Sequence, residues 1–455
     1  MEIDLTPRPE FQHEGVRVHR GQARFAYLLA EAYAGRLLHV HGLGWFAWDG
    51  ARWAEDDQGH ATRAVLAVLR AAWEHAREDK ELARDVRACE SAAGIRGILD
   101  IAAALEPFAS TVSRLDADPY LLNVANGTLD LRTFQLRPHD PADRITKVAR
   151  AAYDSGARSA EWADFLARVL PDPEVRRYLA RFVGVALLGA VREQVFTIAR
   201  GIGANGKGVF YATVLHALGD YGHTAESDLF MTTKANANAA SPAVMALRGR
   251  RFVVCSETER DHRLAAALMK NLTGGDPINA RALHRDPVTF EPSHTVLMVT
   301  NWLPKVAGDD PAVWRRMRVV PFDVEIPEAE RDPELTSRLR LSADAVLSWA
   351  VDGYRDYLQS GLAAPEAVQA ATADYRRRSD AVTRFLEECC LISPHLVVGV
   401  SELFDAWTSW AAEDGAEPLG KNVFGEEMDK RGFRAGKSGP RRVRKGLGLA
   451  DGEEE

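Results

Sequence analysis

Residues 194 to 208 read Gln-Val-Phe-Thr-Ile-Ala-Arg-Gly-Ile-Gly-Ala-Asn-Gly-Lys-Gly, a short apolar run passing into a glycine-rich turn that closes on Lys207. The apolar run predicts a strand. Gly201, Gly203 and Gly206 permit a backbone path with positive φ and close approach to an anion, so N–H groups around Ala204 and Asn205 can face nucleotide phosphates. Lys207 would reach the β and γ phosphates. Val209 to Leu218 has helical apolar spacing and would set its positive N-terminal end against the same phosphates. One position departs from the usual pattern: Gly208 stands where a Ser or Thr hydroxyl ligates Mg²⁺. Taken alone, the stretch is equally compatible with a tight structural turn.

Downstream, Arg250 to Cys255 reads as a buried strand with Ser256, Glu257, Thr258 and Glu259 at its carboxyl end. Ligands of parallel sheets bind at that end. A carboxylate there can hold Mg²⁺ or polarise the water that attacks a γ phosphate. Ser256 fills the slot usually taken by Asp, so Glu257 is the expected base and metal contact, with Glu259 second. A third strand, His294 to Thr300, ends on Asn301, whose amide can orient attacking water or simply open an Asn-Trp-Leu-Pro turn. Beyond it, Trp314-Arg315-Arg316-Met317-Arg318 leads into another apolar strand. Arginine forks suit transition-state phosphates.

The order of phosphate loop, acidic strand end, Lys270-Asn-Leu-Thr-Gly-Gly-Asp276, hairpin, Thr-Asn301 and Trp-Arg315-Arg316 before Val-Pro-Phe322 resembles a superfamily 3 helicase. The group is that of phage and plasmid primase-helicases, related to the poxvirus primase-helicase. Trp45 to Trp53 and Asn123-Val-Ala-Asn126-Gly-Thr-Leu-Asp130 extend the resemblance over most of residues 25 to 385. It implies an AAA-like P-loop ATPase using ATP and Mg²⁺, assembled as a homo-oligomeric ring, commonly a hexamer, that tracks 3′ to 5′ on single-stranded DNA. It further implies Lys207 for phosphates, Glu257 for hydrolysis, Asn301 as sensor, and Arg316, or else its neighbour Arg315, as a finger acting on the next protomer. Gly208 and Ser256 leave Mg²⁺ short of protein ligands; either water and Glu259 complete its shell, or hydrolysis is weak.

Residues 277 to 291 have two β-capable arms around His284-Arg285-Asp286-Pro287, and in this family the hairpin before the sensor strand projects into the ring channel. Arg281, His284 and Arg285 would there meet DNA phosphates without reading bases. The net charge of −8 over 455 residues excludes a uniformly DNA-coated surface and requires local basic clusters. Cys89, Cys255, Cys389 and Cys390 lack metal-ligand spacing and read as reduced thiols. The N-terminus is too polar for a signal peptide, and no apolar run is long enough to span a bilayer. A cytoplasmic protein is expected, in the bacterial host if phage-encoded.

The expected fold class is α/β: an α+β N-terminal domain over residues 1–150, a helical collar over 151–193 that packs protomers, a P-loop ATPase core over 194–375 with helices flanking a parallel sheet, and a winged helix over 376–450. Phe25 to Leu38 reads as a helix and Gly44 to Trp53 as a hairpin whose tryptophans are core or base-stacking. Helices follow to about Leu105, then β structure with an Asn-Gly turn from Leu121 to Leu136. At the C-terminal end, helices over Asp380 to Ile392, Val400 to Ala412 and Lys421 to Arg431 precede a basic hairpin. Lys421, Arg441, Arg442 and Arg444 are its expected contacts to duplex origin DNA. Three functions compete: a replicative helicase of a phage or mobile element, an ATP-binding origin or assembly factor with weak hydrolysis, and a primase. The last is disfavoured by the short stretch upstream and the absence of recognisable paired metal-binding acids, so a separate primase or polymerase partner is expected.

Overall fold

The computed structural model describes residues 19–232, 242–257, 262–281, 287–306, 310–416 and 419–450. Its first unit comprises α1 (Gly21–Tyr33), β1 (Leu37–Val40), β2 (Gly44–Trp48), β3 (Trp53–Glu55), α2 (His60–His75), α3 (Lys80–Cys89), α4 (Ala92–Ala102) and β4 (Ala109–Ser110). The strands form one sheet in the order β3-β2-β1-β4. The Asp-Gly hairpin expected at 49–50 is present: the Asp49 carboxylate accepts the amides of Ala51 at 2.9 Å and Arg52 at 2.8 Å, which fixes the turn. Asp79 and Ser91 cap α3 and α4. Trp45 packs edge-on against Phe108, and Trp53 is buried beside Trp48, so both belong to core packing.

A meander follows, β5 (Leu121–Val124), β6 (Gly127–Asp130) and β7 (Gln135–Arg137), then α5 (Ala160–Val169) and α6 (Pro173–Val185). Leu122, Val124 and Leu129 share one apolar cluster with Phe182 and Phe252, so the meander packs with the central unit although it lies within 1–150. Buried Arg251 ties the two together, donating to the Leu121 carbonyl at 2.6 Å with its guanidinium over the Tyr221 ring.

The central sheet consists of β8 (Phe196–Arg200), β9 (Gly222–Ala225), β10 (Phe252–Glu257), β13 (Thr295–Thr300) and β14 (Met317–Pro321), paired in the order β14-β8-β13-β10-β9, every pair parallel. Between β8 and β9 lies α7 (Lys207–Leu218); the antiparallel pair β11 (Ile278–Ala280) and β12 (Val288–Phe290) precedes β13. Near-continuous burial of β10 and β13 is what a parallel sheet covered on both faces demands. After the short helices α8 (Pro242–Met245), α9 (Ala266–Leu272), α10 (Pro311–Trp314) and α11 (Leu335–Leu341), and ahead of α13 (Glu366–Ser379), the helix α12 (Ala343–Ser360) crosses α6 so closely that a Cβ on Gly353 would lie 2.0 Å from the Ala180 carbonyl. The apolar face of α6 is thereby buried within its own chain.

His294, at the foot of β13, is 2% exposed, and burial pushes its imidazole down from the ordinary 6.5 to about 4. Between those values the unfolded chain holds the extra proton, so stability rises with pH across this window and is lost on acidification. The contribution is roughly 3 kcal/mol. His294→Phe is expected to flatten the wild-type loss of melting temperature between pH 6.5 and 4; a profile parallel to wild type would contradict the assignment.

The last unit comprises α14 (Ala381–Cys389), β15 (Cys390–Gly399), α15 (Val400–Asp414), α16 (Lys421–Lys430), β16 (Ala435–Ser438) and β17 (Arg441–Leu449), with an antiparallel sheet ordered β15-β17-β16. Phe385, Trp407, Phe424, Met428 and Leu447 form its core. The sequence reading carried the first helix to Ile392 and missed β15. A register shift between Ile392 and Val397 lets the strand pass through Pro394 at the sheet edge. All four cysteines are free thiols, as expected. Among the described residues no helix is long and apolar enough to cross a membrane.

Candidate nucleotide-binding site and nucleic-acid surfaces

The glycine-rich loop springs from the carboxyl end of β8, inside the sheet, and delivers the chain into α7 at Lys207. Gly203 at φ +121°, Ala204 at +49° and Gly206 at +78° give the anticipated left-handed path. Gly201 serves otherwise: it lacks a positive φ, but a Cβ there would sit 2.5 Å from the Phe322 carbonyl and 2.9 Å from the Lys207 amine. Asn205 braces the loop, accepting the Gly203 amide at 2.7 Å and donating to the Val324 carbonyl at 3.3 Å. The Ile326 amide donates to the Ala204 carbonyl at 2.9 Å. This clamp by residues 322 to 326 went unread in the sequence, where only Val-Pro-Phe322 marked the place.

Lys207 is 7% exposed, and burial holds its amine below the ordinary lysine range. Nζ donates to the Gly201 carbonyl at 2.8 Å, Asn205 Oδ1 at 3.0 Å and Asn301 Oδ1 at 3.2 Å. All three acceptors are neutral, so among the described residues the amine has no carboxylate partner. Asn301 reaches it because β13 runs beside β8, with Thr300 opposite Arg200. Glu257 ends β10 opposite Thr300, so the backbone of the expected base lies at the same sheet edge. Glu259 falls outside the described residues. Gly208 has open space where a side chain would project.

The arginine pair lies at the other edge. Met317, the residue after Arg316, pairs with Phe196 at the start of β8, whereas the loop leaves its end. Arg316 is 7% exposed and donates to the Ala312 carbonyl at 2.8 Å and Gln194 Oε1 at 2.9 Å. Burial, with Arg315 adjacent, depresses its pKa. Arg315 is exposed. The structure therefore reverses the order of preference within the pair: Arg316 is held inside its own subunit.

Of the hairpin residues, Arg281 is exposed at the end of β11, while His284 and Arg285 fall outside the described residues. The expected arms pair in register, Ile278 opposite Phe290. In the last unit Arg441 and Arg442 are exposed on β17, with Lys437 opposite Arg442. Lys421 is exposed too, its amine 3.1 Å from Ser401 Oγ and over the Phe404 ring. Arg444 is a correction: it is 5% exposed and fastens the sheet to α16, donating to Asp429 and, at 2.7 Å, to the Gly425 carbonyl. Held against α16 by these bonds, it is withdrawn from the exposed basic surface that Arg441 and Arg442 form.

The site thus belongs to a mixed α/β protein whose parallel sheet carries a lysine-closed glycine loop beside a strand-tip asparagine. Residues 26–171 match the family described as D5 N terminal like, and residues 199–316 match the family of unknown function DUF5906. A protein of Acanthamoeba polyphaga mimivirus named as a candidate helicase is 26% identical over 319 residues, 65% of this chain and 33% of its own length. A candidate helicase of Invertebrate iridescent virus 6 is 27% identical over 237 residues, 50% of this chain and 24% of that protein. A candidate primase of African swine fever virus is 23% identical over 330 residues, 66% and 34% of the two chains. The chain spans about a third or less of the length of these curated relatives. Among solved structures, the A form of the apo NrS-1 C-terminal region matches with a TM-score of 0.44 and 11% identity, over 66% of this chain and 78% of that one. These matches support a likeness to phage and viral primase-helicase proteins.

Proposed function

We propose that the chain is the ATP-driven motor of a replicative DNA helicase, forming a ring in which ATP is hydrolysed between subunits while single-stranded DNA is drawn through 3′ to 5′. The observation that carries this reading is the enclosed Lys207 amine, bonded at once to its loop and to Asn301 on the adjacent strand. The donor set fits a nucleoside triphosphate: loop amides and the α7 N-terminus for phosphate oxygens, Lys207 for the terminal phosphates, Asn301 for water, Glu257 to take its proton. Mg²⁺, when bound, neutralises charge developing on the phosphates. Arg281 contributes to the channel. The C-terminal unit serves as a winged helix on duplex DNA through Lys421, Arg441 and Arg442. A tailed-duplex assay tests the whole reading: ATP-dependent displacement requiring a 3′ tail is expected, and displacement requiring a 5′ tail, or none, refutes it.

A second reading, an ATP-binding assembly factor with weak hydrolysis, is favoured by Gly208 and Ser256. The two separate at one position. Because a Cβ on Gly208 meets nothing within 4 Å, serine fits and supplies the missing hydroxyl. Gly208→Ser is expected to lower the Mg²⁺ concentration for half-maximal hydrolysis about 3- to 10-fold, a second-order gain of roughly 1 kcal/mol. An unchanged Mg²⁺ titration shows that the metal shell is complete without it.

A further inference from the structure

A second polar cavity lies where the N-terminal unit meets the central sheet, and neither the loop nor the DNA surfaces account for it. It measures about 830 Å³ and is walled by the β2–β3 hairpin and the start of α2, with Lys147 and Arg250 closing it from the other side. A smaller recess of about 360 Å³ shares Glu55, Lys147 and Arg250 with it and adds Arg248. The size is that of small-molecule sites.

The ion pairs do not use every cation on the wall. Arg52 pairs with Asp49 and Asp220, and Arg248 with Glu55 at 2.8 Å. Arg63, Lys147 and Arg250 have no carboxylate ion pair among the described residues. Arg63 donates to the Gln58 carbonyl at 2.7 Å and faces His60 Nδ1; Lys147 donates to Thr146 Oγ1 at 3.3 Å; Arg250 donates to the Asp220 carbonyl and, each at 3.3 Å, to the Ala246 and Gly222 carbonyls. Burial and the neighbouring Arg248 and Arg250 push Lys147 down to about 8, against the opposing pull of Asp116 and Glu55. Three cations without an ion-pair partner leave donors available to an anion.

The cavity is distinct from the glycine loop. Arg250 precedes the first residue of β10, whereas the loop sits at the carboxyl edge of the sheet. A six-residue strand places those edges roughly 17 Å apart.

We propose that this interdomain cavity binds the phosphate of a nucleotide, through Lys147, Arg250 and Arg63, as a second site independent of Lys207. Guanidinium forks and an ammonium are suited to phosphate oxygens. Asp57 on the same wall is exposed and can accept from a ribose hydroxyl or a base amine. Because the walls come from two units, the ligand joins them. The phosphate belongs either to a free nucleotide or to a DNA strand, and calorimetry distinguishes the two.

The titrations use the full chain carrying Lys207→Ala, with ATP and separately with oligothymidylate, before and after adding Lys147→Gln. If the source is a free nucleotide, ATP still binds the Lys207→Ala chain at one site, and Lys147→Gln weakens it at least 10-fold. If the source is a strand, oligothymidylate affinity falls at least 10-fold and the salt slope drops by about 1. Either affinity should decline as pH rises past about 8 in the Lys147 chain and stay level in the Lys147→Gln chain. Arg63→Gln, on an exposed side chain that carries no core contact, repeats the test should Lys147→Gln misfold. Both ligands indifferent to both substitutions overturns the proposal. Hydrolysis by the Lys147→Gln chain with Lys207 intact reports separately on the motor.

Discussion

Replacing Lys207 by alanine is expected to cut ATP hydrolysis at least 100-fold, with and without single-stranded DNA, and to leave the melting temperature within a few degrees of wild type. The rate effect follows from where the charge sits. An ammonium enclosed among neutral acceptors interacts with developing phosphate charge at low effective dielectric, where one lost donor costs about 10²- to 10³-fold. The small stability effect follows from the same enclosure. Burial already disfavours the charged amine, as its lowered pKa records. Truncation removes that penalty together with the three hydrogen bonds, and the terms oppose one another. Alanine also suits the first turn of α7 better than most residues. Single-turnover hydrolysis beside a thermal melt checks both halves. A residual rate within 3-fold of wild type would remove Lys207 from the chemistry, and a collapsed melt would make the loop a structural turn after all.

That alternative was open in the sequence, because glycines near a lysine specify a bend without saying what it faces. What the sequence did determine was local. Alternation and apolar runs located β8, β10 and β13, and the Asn-Gly and Asp-Gly pairs located two hairpins. Functional order along the chain then placed Asn301 with Lys207, and the parallel pairing of β8 with β13 brings their polar atoms to 3.2 Å. Where the reading failed, non-local contacts decided. Arg444 looked like one of a basic cluster, but its bonds to Asp429 and the Gly425 carbonyl on α16 bury it where Arg442, two residues earlier on the strand, stays exposed. Gly201 looked like a φ requirement and is instead a crowding requirement imposed by Phe322, about 120 residues away in sequence. Strand β15 was hidden because an edge strand tolerates a proline that an interior strand would not. The interdomain cavity had no sequence signature, since Arg63, Lys147 and Arg250 meet only in the folded chain.

Arg315 and Arg316 are adjacent in sequence and should separate cleanly on substitution. Arg316→Ala is expected to destabilise the chain by roughly 1 to 2 kcal/mol, because it removes the bonds to the Ala312 carbonyl and Gln194 and empties the space of a buried side chain. Arg315→Ala, on an exposed side chain, should leave the melt unchanged and lower hydrolysis by about 10³-fold. A strand's length separates Arg315 from its own glycine loop, because β14 and β8 run in parallel from Met317 beside Phe196 to Pro321 beside Arg200. Five residues of strand span roughly 13 Å, so Arg315 acts on a neighbouring subunit's nucleotide or on none. Mixing decides between these. In a ring of Arg315→Ala and Lys207→Ala subunits, some interfaces join an intact Lys207 loop to an intact Arg315, and activity should reappear from two inactive preparations. If the mixture stays inactive although the subunits exchange, Arg315 is not a finger. If Arg315→Ala alone hydrolyses ATP normally, the motor does not depend on Arg315.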